Sequence, residues 1–559
     1  MPEYQVAPTP APPRPSKRSR HFQEARAPVV PPPFLPNEVI LEQILTRVPA
    51  ADTIRFRAVC REWRAALTSD HFVRAHQTVV RAAAQPPSPE IVFFAPTAAG
   101  STTTSFYSSR LLLTTSTAQQ NGGSSSSARE LVTVRDMPAD DLVISGTKPC
   151  RGLTLLFQPS VSAYHVCNLS TGEHVSLPPC PWARRVIADG PYVLSSTGLG
   201  FDRAANEHKV VRLFEDWNKQ PHCEVYGLRS GGWWRPCAGD VPPHAPRGLC
   251  SRPPVFVDGY LYWHMNTEMN FYGWEARSLA TPEPILSLAV DTEQFRWVHP
   301  PEERARYAFH LADLDGFLCA VVDTRLTVGQ YELWTLTAAA GGGSTTTTTT
   351  TATSPWTLRC RISLASVVPR PMGDALRAGF RVLPLGSSSP GGEILLATSR
   401  HEVYAYDPES NRARRAFSAH EFVDTLTRES ELLLNIAVHE EWATPVCRRP
   451  GDDGDDVGKL KMKPGNRTVA RQGGRGPTDR RRDDVIAMAV RMFCLHQHRT
   501  EVNGGIGWDT GQNLFEDHFR WVETVAPPAA PLERAEIFRT VVAAPAALRN
   551  MRKKTLNKP

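Results

Sequence analysis

The chain has 559 residues, which is longer than one hydrophobic core usually supports, so its length predicts two or more folded units joined by linkers. Its 63 basic and 57 acidic side chains give a net charge of +6 and are dispersed along the chain, a pattern that does not demand nucleic-acid binding. The 49 prolines and 37 glycines indicate that a substantial fraction lies outside any packed core.

The cysteines and the N-terminal composition predict the compartment. Eleven cysteines are widely spaced, and the opening segment MPEYQVAPTP has no apolar run of the kind that a secretory signal needs. The sequence also contains no uninterrupted apolar stretch of about 18 residues, the length that a membrane-spanning helix requires. We therefore expect a soluble protein in a reducing cytoplasmic or nuclear location.

Residues 1–33 are rich in proline and alanine and predict a flexible, unstructured arm. The segment Phe34 to Gln77 changes to helical periodicity. Pro36 suits the first turn of a helix, an apolar stripe follows, and Pro49 ends it. A second short helix is predicted to begin near Asp52 as its N-cap, with Arg55 and Arg57 facing water. A third runs from about residue 59 to 67, and Phe72 begins the last turn.

Three short helices in about 43 residues cannot bury this many large apolar side chains among themselves. A partner with a groove for apolar helices would cover the surplus. Packing against the rest of the chain would cover it equally well, and periodicity alone leaves both alternatives open.

Residues 78–90 contain three prolines and predict a linker. From 91 to 430 the sequence consists of short runs of Val, Leu, Phe, Tyr and Trp separated by Gly, Pro, Asp and Asn, which is typical of an all-β domain. Hairpins recur, as in Val255–Val257 and Tyr260–Trp263 around Asp258-Gly259. A sandwich or a propeller would satisfy this pattern; the recurrence favours the propeller, with five or six cycles. The low-complexity tracts at 124–127 and 341–351 are predicted to be exposed loops.

Residues 431–559 carry alternating charge blocks with glycine and proline and predict a largely disordered segment, with possible short helices at 483–496 and 531–542. The basic stretches 471–482 and 549–558 leave a nucleic-acid-associated protein as an alternative, although neighbouring aspartates weaken it. Cys494, His496 and His498 form a tight cluster, but a zinc site needs about four ligands and no second pair lies at the spacing of a zinc finger, so we do not expect zinc binding there. The sequence lacks GxSxG, HExxH and P-loop motifs, so we expect neither a catalytic residue nor a cofactor nor a metal.

The segment Phe34 to Gln77 resembles an F-box. The resemblance rests on three phrases: Leu35-Pro36-x-Glu38, Ile44-Leu45-x-Arg47-Val48-Pro49, and Val59-Cys60-Arg61-Glu62-Trp63-Arg64 followed by Phe72. Residues 148–417 resemble the F-box-associated domains of plant proteins, in the phrases CRGLTLLF, CNLSTGEHVSLPP, GLGFDRAANEHKVVRLF and PPVFVDGYLYWH. The predicted fold class is thus α+β multidomain, with a three-helix F-box before a β-propeller-like domain.

The resemblance implies a non-catalytic substrate receptor that binds a Skp-family adaptor and, through it, a cullin–RING ubiquitin ligase, with no membrane partner. It implies adaptor contacts from ten residues: Leu35, Pro36, Ile40, Ile44, Leu45, Pro49, Ile54, Val59, Cys60 and Trp63. The target protein and its binding residues are not readable from the sequence. Trp233, Trp234 and Trp263 are candidate anchors for a target, with burial in the core as the stronger alternative for each.

Overall fold

The computed structural model describes residues 37–83, 89–111, 127–179, 195–216, 220–242, 245, 253–265, 285–301, 309–325, 328–337, 355–378, 382–388, 392–423, 435–446, 460–465 and 467–470. Several sequence predictions fall outside these ranges: the arm 1–33, both low-complexity tracts, the two possible C-terminal helices, and the basic and Cys/His clusters after residue 470. None of the helices that the structure describes is long and apolar enough to cross a membrane.

The N-terminal module is helical. It consists of α1 (Asn37–Val39), a π-helical turn (Ile40–Ile44), a 3-10 turn (Leu45–Arg47), α2 (Ala50–Arg57), α3 (Arg61–Leu67) and α4 (Asp70–Ala83). The first predicted helix is therefore irregular, because it changes its hydrogen-bond spacing twice before Pro49 ends it.

Two local predictions for this module are wrong. The second helix begins at Ala50 with Pro49 as its N-cap, so Asp52 lies in the first turn instead of capping it. The predicted linker also begins too early, because α4 continues through residues 78–83. The apolar and long side chains of that stretch keep helical spacing until the prolines at 86, 87 and 89 interrupt it.

In the residues that the structure describes, the all-β domain forms six antiparallel sheets, which confirms the predicted propeller and gives it six blades. Blade 1 combines β1 (Glu90–Pro96), β2 (Thr104–Arg110) and β3 (Ser127–Arg135) with β24 (Ile436–His439), β25 (Lys461–Pro464) and β26 (Thr468–Ala470). Blade 2 contains β4 (Val143–Cys150), β5 (Leu153–Gln158), β6 (Ala163–Cys167) and β7 (His174–Ser176). Blade 3 contains β8 (Ser195–Asp202), β9 (Glu207–Glu215), β10 (Pro221–Gly227) and β11 (Arg235–Pro236).

Blades 4, 5 and 6 each contain four consecutive strands. They are β12 (Val255–Val257), β13 (Tyr260–His264), β14 (Ile285–Ala289), β15 (Phe295–Val298); β16 (Phe309–Leu314), β17 (Phe317–Asp323), β18 (Gln330–Leu336), β19 (Trp356–Ser363); and β20 (Val382–Ser387), β21 (Ile394–Thr398), β22 (Glu402–Asp407), β23 (Arg412–Ser418). A short helix, α5 (Arg370–Ala378), lies between blades 5 and 6.

Blade 1 closes the ring with strands from both ends of the domain. The C-terminal strand β24 pairs with β1, from Glu90 opposite His439 to Phe93 opposite Ile436. Strands β25 and β26 pair with β3 at the opposite edge of the same sheet. The β architecture thus continues past residue 430, where the sequence predicted a largely disordered segment. The local sequence does not predict β24, β25 and β26, because they are short and lie next to charge blocks. Their pairing partners, β1 and β3, lie about 340 residues earlier in the chain.

The hairpin turns have the backbone geometry that their residues predict. Asp258 and Gly259 both have positive φ, 46° and 87°, as a two-residue turn between twisted strands requires. The turn joins β12 to β13 with Val257 opposite Tyr260. The Asp-Gly signal in the sequence is therefore sufficient to place this turn.

A buried charge network joins blades 3 and 4. Lys209 Nζ on β9 lies 2.9 Å from both Asp202 Oδ2 and Glu293 Oε1, and all three side chains are almost fully buried. Glu293 also accepts hydrogen bonds from Arg235 and from the backbone N–H of Ala238. Burial alone would raise the pKa of Glu293, but the hydrogen bonds from Arg235 and Lys209 lower it to about 2. The network holds the carboxylate charged where the two blades meet.

Candidate docking surfaces

The helical module packs directly on one end of the propeller. Leu45, Ala50, Leu67 and Phe72 form a small buried core together with Ala443, which follows β24. Ile40, Leu41, Val48, Phe56 and Trp63 pack against this core from its edge. The module therefore buries part of its apolar surplus on its own chain, which was one of the two alternatives that the sequence left open.

The propeller end beneath the module can be defined from strand direction. Each blade has one inner strand, at the edge of its sheet nearest the propeller axis: β24, β4, β8, β12, β16 and β20. In that order, each inner strand contacts the next one around the axis. They all run the same way, because each follows a crossing from the preceding blade. We call the end at which they finish the docking face. In antiparallel blades the turn between the third and fourth strands lies there as well.

Polar contacts fix the module to this face. The Ala50 N–H donates to Glu441 Oε1 at 2.7 Å, which satisfies a free donor at the start of α2. Arg57 is buried, lies 2.8 Å from Glu173 Oε2, and donates to the carbonyl of Ala443. The sequence predicted Arg57 to face water, and this is wrong, since the β6–β7 turn supplies a carboxylate that the helical periodicity cannot reveal.

Arg151 provides a second anchor. It lies at the β4–β5 turn with a positive φ of 48°, and its guanidinium donates to Asp70 Oδ1 on α4 at 2.7 Å. The guanidinium also stands over the ring of Phe201, 4.0 Å from the centroid. The next residue, Gly152, has φ of 85° and faces Trp442 so closely that an added Cβ would overlap it. This turn therefore accommodates both the helical module and the chain that leaves β24.

The outer side of the module keeps apolar side chains exposed. Val59 is 62% exposed and Ile44 is 44% exposed, and both belong to the set predicted to contact the adaptor. Pro49 and Cys60 are exposed as well, and the Cys60 Sγ caps α3 by accepting the Trp63 N–H at 3.3 Å. Exposed apolar residues on a helical surface are a common signature of a protein-binding site.

The remaining predicted adaptor residues have different positions. Leu45 is buried in the core shared with the propeller, and Ile40 and Trp63 are half-buried against that core. Ile54 is half-buried. Leu35 and Pro36 lie outside the described residues. The structure thus brings a subset of the ten candidates to the outer surface, and places others in a structural role.

A cavity of about 490 Å³ opens on the docking face at the propeller axis. Its wall includes the segment 146–149 of β4, where the pairing with β5 shifts register after Ser145. Lys148 in this segment reaches across to Asp313 of blade 5, with 2.8 Å between Nζ and Oδ1. The cavity is also lined by Arg151, Phe256, Asp258, Asp315 and Glu440, so its wall contains both charged and apolar groups. Its volume lies in the range of typical ligand sites.

The three candidate tryptophans separate clearly. Trp233 is 75% exposed, at the end of the β10–β11 turn on the docking face. Trp234 is half-buried, packs near Tyr164 and Tyr226, and donates to the carbonyl of Pro178. Trp263 is buried and donates to Ser196 Oγ at 3.1 Å. Trp263 is therefore a core residue. Of the three tryptophans, Trp233 is the one exposed enough to contact a target protein.

Two buried histidines lie below the docking face. His208 Nε2 is 3.0 Å from the carbonyl of Cys150, and burial lowers the pKa of His208 to about 4. Burial, with a smaller contribution from His174, also lowers the pKa of His165 to about 4. Both rings are neutral near pH 7 and act as packing and hydrogen-bonding groups. In the part of the chain that the structure describes, no three His, Cys, Asp or Glu side chains are grouped to hold a metal.

Comparison with known proteins identifies both regions. Residues 34–74 match the family model of the F-box domain, and residues 102–370 match that of the F-box associated beta propeller domain. An F-box/LRR-repeat/kelch-repeat protein of Arabidopsis thaliana is 28% identical over 312 residues, which covers 54% of this chain and 71% of that protein. Another A. thaliana protein named for an F-box is 25% identical over 334 residues, which covers 58% of this chain and 78% of that protein. The predicted F-box and F-box-associated domain are both confirmed.

Proposed function

This chain is an F-box protein with an F-box-associated β-propeller domain, and from that premise we propose that it is the substrate-recognition subunit of a Skp–cullin–F-box ubiquitin ligase. Neither of the matched models is that of an enzyme family. The observation that carries the proposal is the two-sided helical module. Its inner side is fixed to the propeller through Arg57 and Asp70, while Ile44 and Val59 remain exposed on its outer side.

In this role the chain contributes proximity. A ubiquitin-conjugating enzyme carried by the partners holds the thioester, and the propeller holds the target. Tethering a target lysine near that thioester replaces a bimolecular encounter by a local one, so effective concentration supplies the gain in rate. The fixed contact between module and propeller supports this, because a defined orientation keeps the target within reach.

We further propose that the target binds on the docking face. The axial cavity and the exposed Trp233 both lie there, and aromatic side chains commonly anchor protein interfaces. The helical module occupies the same face, so a target bound there would lie beside the adaptor. We also propose a reducing cytoplasmic or nuclear location, supported by the free thiols at Cys60, Cys150, Cys167, Cys223, Cys237, Cys319 and Cys360.

Adaptor binding is tested with charged substitutions on the outer side of the module. Val59→Asp and Ile44→Asp should each weaken co-purification with a Skp-family adaptor on the order of tenfold or more, because each places a charge in an apolar contact. Trp63 is a poorer choice, since it packs against the internal core and its loss would also loosen the module.

A matched control is available in Val161→Asp. Val161 is 60% exposed, close to Val59, but lies in the β5–β6 turn on the opposite face of the propeller. Adaptor binding that survives Val59→Asp and Ile44→Asp unchanged would overturn the proposal. Equal loss in all three variants would overturn the assignment of this surface, since it would show a general effect of charge.

A further inference from the structure

Two cysteines face each other across the outer strands of blade 3. The register of β10 and β11 pairs Glu224 with Pro236 and Val225 with Arg235, so the next pair outward is Cys223 and Cys237. The Cys237 N–H donates to the Cys223 carbonyl at 2.9 Å, which makes them a hydrogen-bonded cross-strand pair. Both side chains pack on the sheet surface that faces blade 4, next to Val211 and Leu213.

The spacing of such a pair suits a disulfide. Directly opposite residues of this type have Cα atoms about 5.5 Å apart, within the range of about 4.4–6.8 Å that disulfides span. Both side chains lie on the same surface of the sheet, where the Cys237 S–H donates a hydrogen bond to the Glu293 carbonyl at 3.4 Å. An S–S bond therefore needs a small movement of the side chains and no rearrangement of the strands.

The two thiols are not equivalent. Cys223 is buried, whereas Cys237 is half-buried at the outer edge of the blade. The neighbouring Cys223 thiol lowers the pKa of Cys237, and the Cys237 thiol together with burial raises the pKa of Cys223. Cys237 is thus the more nucleophilic and more accessible thiol, and Cys223 is placed to react with it in a second step.

We propose that Cys223 and Cys237 form a reversible disulfide when the protein meets a hydroperoxide. The Cys237 thiolate attacks one peroxide oxygen, the S–O bond forms as the O–O bond breaks, and the departing hydroxide takes a proton to become water. Cys223 then attacks the Cys237 sulfur, the S–S bond forms as the S–O bond breaks, and the second hydroxide leaves as water with the Cys223 proton. Two thiols are oxidised and one hydrogen peroxide is reduced to two waters.

The disulfide would close the base of the hairpin that carries Trp233. Residues 228–234 form the turn between β10 and β11, and its backbone already bonds to the Glu207 carboxylate through the N–H of Arg229. Because β11 has only two residues, this edge is held by few ladder bonds in the reduced protein. A covalent link there restrains the turn on the docking face, and it does so whether or not the chain joins a ligase.

The test uses the full-length reduced protein, hydrogen peroxide as the oxidant, thiol blocking and peptide mass mapping without reductant. We expect a Cys223–Cys237 linked peptide that disappears on addition of dithiothreitol. In Cys223→Ser, Cys237 should instead accumulate as a sulfenic acid that reacts with dimedone, and in Cys237→Ser, Cys223 should remain a thiol. Cys360 is the internal control: it is also half-buried, but burial raises its pKa to about 12, so it should stay reduced at the same dose.

The outcomes are distinguishable. A linked peptide between these two cysteines, lost in either variant, supports the proposal. Recovery of both cysteines as thiols at doses that oxidise Cys360 would overturn it, and so would preferential linkage of Cys237 to a different cysteine. Circular dichroism of both variants confirms that the propeller is folded, so that a negative result cannot arise from unfolding.

Discussion

Glu293 accepts hydrogen bonds from Lys209, Arg235 and the backbone N–H of Ala238 at the contact between blades 3 and 4. Its carboxylate is a second partner, beside Asp202, for the buried charge of Lys209. At the scale of single residues, the stability of this propeller therefore depends on a few buried polar groups as well as on its apolar cores.

Replacing Glu293 with Gln removes the charge and keeps the shape. We expect the free energy of unfolding to fall by about 3 kcal/mol, because Lys209 stays buried with one partner fewer. Urea denaturation measures this. The control is Asp258→Asn, which breaks an exposed pair with Arg203 and should change the unfolding free energy by less than about 1 kcal/mol. Equal effects from both variants would contradict a special role for the buried network.

The buried histidines predict a loss of stability in mild acid. The pKa values of His165 and His208 are lowered to about 4, whereas an unfolded histidine titrates near 6.5. Between these values the unfolded chain binds more protons than the folded one, so stability is highest above pH 6.5 and declines as the pH falls. At pH 5 the loss should be on the order of 2 kcal/mol for each histidine.

The urea midpoint between pH 7 and pH 5 measures this effect. Glu293 does not interfere, because its contribution is present above pH 4.5 and is lost only as the pH falls from there toward its folded pKa of about 2. A His208→Gln variant should show a flatter pH profile than the wild type. A wild-type midpoint that does not change over this range would rule out the buried neutral state of the two rings.

At the scale of elements, one side chain of helix α2 contacts two segments of the propeller at once. Arg57 contacts Glu173 in the β6–β7 turn and Ala443 after β24, so one guanidinium bridges α2 to two separate segments of the propeller. The neighbouring Arg55 pairs with Asp52 of its own helix, and its side chain is 85% exposed. The two arginines share a helix and a residue type but differ in burial.

Arg57→Met should loosen the module from the docking face, because it leaves Glu173 and the Ala443 carbonyl without this donor. We expect faster amide hydrogen exchange in α2 and α3, with unchanged exchange in blades 3 to 5. Arg55→Met is the matched control and should leave the exchange of α2 unchanged. Exchange that rises equally in both variants would show that the pair with Glu173 does not hold the module.

For the whole molecule, closure of the ring decides whether the propeller is a single cooperative unit. Strand β24 covers the inner edge of β1, and its residues Ile436 and Ala437 are buried. Without it, β1 would expose a row of unpaired backbone groups at the contact between the first and last blades.

A chain that ends at residue 430 should therefore aggregate or unfold without cooperativity, while a chain that ends at residue 470 should keep a cooperative transition. The second chain retains all the strands that the structure describes. Thermal unfolding followed by circular dichroism distinguishes them. A cooperative transition in the shorter chain would mean that β24 is dispensable for closure.

The local features were predictable from the sequence because their cause is local. The Asp258-Gly259 turn, the alternation of short apolar strands, and the break of the first helix at Pro49 depend on the backbone preferences of the residues involved. The F-box pattern from Phe34 to Gln77 was also predictable, since its residues follow one another in a fixed order and spacing within one continuous segment.

The tertiary structure decided what distant segments do to each other. It placed Arg57 in a buried ion pair instead of water, paired β24 with β1 across some 340 residues, and brought Cys223 opposite Cys237. It also divided the predicted adaptor residues between a buried core at Leu45 and an exposed surface at Val59. A sequence encodes which residues can be buried, but which side of a small helical module is covered depends on the surface against which it folds.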